Sequence, residues 1–209
     1  MGIPVLILGE SGSGKSASLR NFEPADVSVF NVAGKQLPFR KKLAMITTAD
    51  YNAIAAGIQK SQKKAFVIDD SQYLMCFEAF AKAKETGYGK FTDMALHFYN
   101  LVQFVIHQTP PDVIVYFLHH TDTDSNTGKI RAKTLGKMLD SQLTLEGLFS
   151  IVLMAYTDGK KHVFITQSDG CTTCKSPMEM LPAEMDNDLK AVDKAIRDYY
   201  ELNRKDNEK

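Results

Sequence analysis

A chain of 209 residues that is 44% hydrophobic and 24% charged is long and apolar enough for one packed core, which excludes an intrinsically disordered protein. Its 25 basic and 25 acidic side chains cancel, which excludes a surface that attracts nucleic acid everywhere, so any DNA or RNA site must be local. Three cysteines, Cys76, Cys171 and Cys174, suit a reducing compartment. No apolar run approaches the roughly 20 residues a bilayer requires, so a cytoplasmic protein without a membrane anchor is expected.

In chain order, Ile3 to Leu8 is a short apolar run closed by Gly9, the pattern of a central parallel strand covered on both faces. Lys15 to Asn21 opens a short helix that stops before Pro24, and Val27 to Val32 is a second strand. Leu43 to Thr48 reads as a strand, Asp50 as the cap of a helix to about Gln62, and Ala65 to Ile68 as a buried strand ending in Asp69 and Asp70. Ser71 to Lys84 and Phe91 to His107 read as helices. Val113 to Leu118 is the next strand, with a polar exit through His119, His120, Thr121 and Asp122. Ile151 to Tyr156 and Lys161 to Thr166 alternate around a four-residue turn, which predicts a C-terminal antiparallel hairpin. A helix over about 186–202 follows, with a charged tail from Asn203. Strands alternating with helices imply one α/β domain around a mostly parallel sheet.

Gly9-Glu-Ser-Gly-Ser-Gly-Lys-Ser16 fills the pattern G-x-x-x-x-G-K-S/T between a strand and a helix, the context of a phosphate-binding P-loop, or Walker A element. In such a loop the backbone N–H groups of Gly9, Glu10, Ser11, Gly12, Ser13 and Gly14 turn inward at phosphate oxygens, and the helix start adds a favourable dipole. Lys15 is expected to reach the β- and γ-phosphates of ATP and Ser16 to ligate Mg2+, a cation that prefers oxygen donors. Ala65-Phe-Val-Ile-Asp-Asp70 has the form of a Walker B strand. There Asp69 holds magnesium and Asp70 orients or deprotonates the attacking water; the alternative is a helix cap for the segment starting near Ser71. His119 or His120, after the strand beginning at Val113, can sense the γ-phosphate or simply terminate the strand. His119 is taken as the nucleotide contact.

Four segments together resemble phage-encoded AAA-family ATP-binding proteins. They are the loop just quoted, Val67-Ile-Asp-Asp-Ser-Gln-Tyr-Leu74, Ala132-Lys-Thr-Leu-Gly-Lys-Met-Leu-Asp140 and Thr172-Thr-Cys-Lys-Ser-Pro-Met178. That group is similar to the ATPase core of RecA and its eukaryotic recombinase relatives, and some members are described as single-strand annealing proteins. The resemblance implies a P-loop NTPase three-layer sandwich with a RecA-like core, acting on single-stranded DNA as a homo-oligomer in the cytoplasm of a bacterial host. It also has two departures. The second strand runs Val29-Phe-Asn-Val-Ala-Gly34 and lacks the glutamate that RecA-type enzymes carry there, and the extra N-terminal domain of many recombinases is not seen.

Lys129, Arg131, Lys133 and Lys137 lie in an acid-free stretch after the polar loop Thr121 to Gly128, where RecA-like proteins carry DNA-contacting segments. Such a stretch either neutralises backbone phosphates or is a solvated charged surface. Lys175 follows the hairpin. By the same resemblance it is either a catalytic cation reaching the γ-phosphate of a neighbouring subunit or a surface lysine. Cys171 and Cys174 form an isolated C-x-x-C without a second pair of zinc ligands, and Met75, Met94 and Met138 read as core filling. The leading function is an ATP-dependent, DNA-acting protein of phage recombination or replication. The alternatives are a nucleotide-switched protein-binding module and, because Arg20, Arg40, Arg131, Arg197 and Arg204 are scattered rather than gathered in a lid, less favourably a small-molecule or nucleotide kinase.

Overall fold

The computed structural model describes residues 1–87, 89–135 and 143–202. The expectations for Lys137, Met138 and the chain from Asn203 onward lie outside those residues. The strands are β1 (Ile3–Gly9), β2 (Val27–Asn31), β3 (Ala44–Thr47), β4 (Ala65–Asp69), β5 (Ile114–Thr123), β6 (Ile130–Ala132), β7 (Ile151–Thr157), β8 (His162–Ile165) and β9 (Glu184–Asp186). The helices are α1 (Tyr51–Lys60), α2 (Gln72–Ala81), α3 (Gly89–Gln108) and α4 (Leu189–Tyr199).

The described residues form a mostly parallel mixed sheet in the order β3-β2-β4-β5-β1-β7-β8-β9, with β6 paired to β5 outside that path. The pairs β3–β2, β2–β4, β4–β5, β5–β1 and β1–β7 are parallel, whereas β5–β6, β7–β8 and β8–β9 are antiparallel. The expected hairpin is β7–β8, and β9 extends it.

Residue parity explains why the central strands are apolar throughout. Leu6 and Leu8 of β1 join Val115 and Phe117 of β5 in one cluster, closed by Ile54 and Ile58 of α1, Leu74 of α2, and Phe98 and Val102 of α3. Val5 and Ile7 join Ile114, Tyr116 and Leu118 in the other, closed by Leu19 and by Leu189, Val192 and Ile196 of α4. With successive side chains pointing to opposite faces, a strand covered on both sides must be apolar at every position. Asp50 caps α1 by accepting from Asn52 and Ala53 N–H, and Asp188 caps α4 through Lys190 and Ala191 N–H.

Several expected elements differ. The short helix expected after the glycine-rich loop is a six-residue 3-10 helix, Ser16–Asn21, so the dipole behind the loop is smaller than that of an α-helix. Strand β5 runs five residues beyond Leu118, because β6 pairs with its polar end through Thr121–Ala132, Asp122–Arg131 and Thr123–Ile130. Helix α4 is shorter than 186–202, because Glu184–Asp186 is taken by the sheet. No described helix is long and apolar enough to cross a membrane.

Candidate functional site

Strands β1, β4 and β5 end at one edge of the sheet, with Gly9 opposite His120 and Ile68 opposite Phe117. The chain leaves β1 toward the face carrying Leu19 and leaves β4 toward the face carrying α2. Divergent exits from nearby parallel strands open a crevice at their carboxyl ends. A cavity of about 300 Å³ lies there, lined by Ser11, Gly12, Gly14, Lys15, Ser16, Ala17, Lys35, Gln36, Pro38, Asp69, Asp70, His120 and His162.

The loop that forms one wall depends on its glycines. Gly14 sits at φ +101°, and a Cβ there would stand 3.0 Å from His162 Nδ1 and 3.3 Å from the Asn187 amide. A Cβ on Gly9 would come within 2.4 Å of Ser13 Oγ and 2.9 Å of the Ala155 carbonyl. The Lys15 ammonium is buried and donates to the Gly9 and Glu10 carbonyls at 2.7 and 2.8 Å. Burial lowers its pKa to about 8, against the pull of Asp70 and Asp69 in the other direction.

Ser16 Oγ donates to Asp69 Oδ1 at 2.8 Å. Burial raises the Asp69 pKa, although the Ser16 hydrogen bond opposes this. A hydroxyl and a carboxylate side by side are the donors a hard divalent cation takes when phosphates complete its shell. Among the described residues no cluster of three or more His, Cys, Asp or Glu side chains forms a cage for a metal by itself.

Asp70 does not cap α2. The residue at the N-cap is Ser71, which makes no side-chain capping bond, while the Asp70 carboxylate accepts from His120 Nε2 at 3.1 Å and Lys35 Nζ at 2.8 Å. Its backbone has φ +59°, an uncommon left-handed conformation that Asp tolerates better than most residues. Burial would raise its pKa, but the bonds from His120 and Lys35 outweigh that and hold it at about 2.

The assignment of His119 as a nucleotide contact is corrected. Its ring is fully buried, Nδ1 pairs with Ser71 Oγ at 2.9 Å, Nε2 pairs with the Lys133 carbonyl at 2.9 Å, and the ring stacks edgewise on Phe98. Burial lowers its pKa to about 4, so it is a neutral core histidine. His120 is the histidine that lines the cavity.

Lys35 and His162 are site residues that motif reasoning misses, and His120 is one that it weighs but sets behind His119. For His120 a signal exists, since it shares strand parity with Ile114, Tyr116 and Leu118, on the face of the loop's short helix. Lys35 directly follows Val29 to Gly34, the stretch in which the resemblance implies an acid and none stands.

The remaining expected residues are dispersed. Strand β6 has a two-residue period, which puts Lys129, Arg131 and Lys133 on one face and Ile130 and Ala132 on the other, against the core. The stretch is acid-free in sequence only, because pairing sets Asp122 opposite Arg131 and leaves Asp124 3.9 Å from the Arg131 guanidinium. Lys175 is half-buried and bridges Val152 through two backbone hydrogen bonds, level with Leu6 in the sheet and away from its carboxyl edge. The structure therefore does not bring Lys175 to Lys15 and Asp70 within one chain. Cys171 is exposed, Cys174 is buried, and both are free thiols.

A larger cavity of about 630 Å³, lined by Tyr51, Phe77, Glu78, His97, Leu101 and Phe104 among others, lies among α1, α2 and α3. It lacks the paired cations and carboxylates that converge at the carboxyl edge, which makes the smaller cavity the candidate site. No family model matches the chain, and no curated protein matches it.

Proposed function

We propose that the chain binds ATP with magnesium at the loop Gly9–Ser16 and hydrolyses it, as a P-loop NTPase with a RecA-like three-layer sandwich. The observation that carries this reading is the Ser16–Asp69 hydrogen bond, which joins the loop to the tip of β4 beside the buried Lys15 ammonium. A hydroxyl, a carboxylate and an ammonium on one cavity form the minimum set for a magnesium-bound polyphosphate. Glu10, Ser11, Gly12, Ser13 and Gly14 supply loop backbone to the phosphates. Ser16 and Asp69 would hold the magnesium, which supplies positive charge to the phosphate oxygens. Hydrolysis is an in-line displacement: the water oxygen bonds to the terminal phosphorus, the bond to the bridging oxygen breaks, and ADP leaves with that electron pair. Asp70 receives the water proton.

The macromolecular partner proposed is single-stranded DNA, in phage recombination or replication in the host cytoplasm. The basic face formed by Lys129, Arg131 and Lys133 supports it, since β6 is paired to β5, whose His120 lines the candidate site. Homo-oligomerisation would give Lys175 a route to a neighbour's γ-phosphate. Steady-state ATP hydrolysis with and without single-stranded DNA tests the reading: stimulation by DNA is expected, and no hydrolysis in either condition refutes it.

A nucleotide-switched protein-binding module is the second reading. It is favoured by one observation, that Val29 to Gly34, at the end of β2, offers no acid where a recombinase-type glutamate is expected, which suits slow turnover.

A further inference from the structure

We propose that Lys35 is the cation that recognises the terminal phosphate, and that on nucleotide binding it leaves Asp70 for that phosphate and so uncovers the water-activating carboxylate. The inference rests on the nucleotide-site reading above and deepens it.

Asn31, buried at the end of β2, donates from Nδ2 to the Lys35 carbonyl at 2.6 Å, which folds residues 32–35 back over the sheet edge. Gly34 makes that turn possible with φ +69°. Lys35 then extends over Asp70, its Nζ 2.8 Å from Oδ2 and 5.0 Å from the centre of the Tyr73 ring. It lines the same cavity as Lys15.

The two lysines are held differently. Lys15 is buried and fixed by two carbonyls, whereas the Lys35 side chain is 61% exposed and held by its ion pair with Asp70 and by the Tyr73 ring. The pair is open to solvent on the lysine side, while the Asp70 side chain is 12% exposed, and a phosphate dianion is a stronger partner for an ammonium than one carboxylate. Position sets which phosphate Lys35 meets. Ser16 and Asp69 mark the cation end of the cavity, and Asp70 follows Asp69 directly, so a cation on Asp70 faces the terminal phosphate.

The exchange has a chemical consequence. Asp70 Oδ1 stays with His120, while Oδ2, the oxygen Lys35 occupies, becomes free to accept from water. ADP lacks the terminal phosphate and leaves Lys35 in place. Binding of the triphosphate and exposure of the base are then one event, and the site distinguishes ATP from ADP without an acid on β2.

The test compares affinities of the full chain for magnesium-bound ADP and for a non-hydrolysable ATP analogue by calorimetry, in wild type, Lys35→Met, Lys35→Arg and Lys15→Ala. Lys35→Met keeps most of the aliphatic stem and is expected to lose about tenfold or more in affinity for the ATP analogue, with ADP affinity held within about twofold. Lys35→Arg should restore much of the preference, and Lys15→Ala should lose both ligands. Equal losses for the two nucleotides in Lys35→Met, or no loss for either, overturn the inference and leave the nucleotide site standing. If wild type binds neither nucleotide, the nucleotide-site reading and the inference fall together. Circular dichroism of each variant ensures that a loss is not unfolding.

Discussion

Ser16 Oγ and Asp69 Oδ1 lie 2.8 Å apart although 53 positions separate them in the chain. The contact exists because β1 and β4 both flank β5 in parallel, so the loop after one and the carboxylate at the tip of the other emerge at the same edge. On the proposed reading, Ser16→Ala removes one of the two side-chain oxygens that would hold magnesium. Affinity for ATP with magnesium is expected to fall about tenfold, and affinity without magnesium to change much less. Calorimetric titrations with and without the metal check this, and an equal loss in both would show that Ser16 acts on phosphate alone.

Lys15→Ala should remove nucleotide binding, raising Kd for ATP by about 100-fold or more, with the far-ultraviolet circular dichroism unchanged. Among the described residues the Lys15 ammonium donates to the Gly9 and Glu10 carbonyls, both part of the loop itself, so the two clusters on the faces of the sheet do not depend on it. Unchanged affinity in a folded variant would remove Lys15 from the site.

Asp70→Asn keeps the shape and tolerates the left-handed backbone at φ +59°, so the fold should persist. Turnover should fall at least about 100-fold while ATP affinity changes little, because a water-activating group works mainly in the transition state. The substitution also has a pH signature. A carboxyl whose pKa falls from 3.8 to about 2 on folding stabilises the protein above pH 3.8, and that contribution is lost as pH falls from there toward about 2. The stability advantage of wild type over Asp70→Asn should therefore be constant near neutrality and shrink through that window, as read by urea unfolding at a series of pH values. An advantage that does not shrink would mean that His120 and Lys35 do not hold the charged form.

The two adjacent histidines separate stability from chemistry. His119→Ala opens a hole in the core and removes the partner of the Lys133 carbonyl and one of two partners of the Ser71 hydroxyl, which keeps the Leu118 carbonyl, so it should destabilise by about 2–4 kcal/mol in urea unfolding. His120→Ala should cost about 1 kcal/mol or less and lower turnover by about tenfold. The reverse pattern would return the nucleotide contact to His119.

These histidines also show how much of the site is legible in the sequence. The motif at Gly9–Ser16, the apolar run into Asp69 and Asp70, and the C-terminal hairpin are local patterns, and each appears in the structure where the sequence indicates. Choosing between His119 and His120 requires knowing which face of β5 meets the loop, and that depends on where α3 and α4 pack. Lys35 is hidden for a similar reason, since its contact with Asp70 spans 35 positions and no spacing rule reaches that far. Strand β6 is not legible as a strand because its three residues are short and polar-flanked, and only pairing with the end of β5 orders them as one.

The face of β6 offers the last test. Lys129, Arg131 and Lys133 recur every second residue, so a strand aligns them on one side, while Ile130 and Ala132 anchor the other side in the core. Replacing all three by Ala should weaken single-stranded-DNA binding and leave ATP affinity nearly unchanged. Removing one cation that neutralises a phosphate of a single strand flattens the log-log salt slope by about 0.7, so removing three amounts to about two units. Asp122 and Asp124 share this ribbon and screen Arg131, so the single change Arg131→Ala should remove less than Lys129→Ala or Lys133→Ala. The ribbon also adjoins the candidate site, because Lys133 N–H donates to the His120 carbonyl at 2.9 Å and the His120 ring holds Asp70. DNA on the ribbon and nucleotide in the cavity should therefore bias one another, and by linkage the factor by which ATP raises DNA affinity must equal the factor by which DNA raises ATP affinity. Fluorescence anisotropy of a labelled oligonucleotide, titrated at several salt concentrations with and without an ATP analogue, measures both the slope and the factor. Wild type that binds no single-stranded DNA in either state would defeat the DNA reading and make the nucleotide-switched protein-binding module the better account of β6.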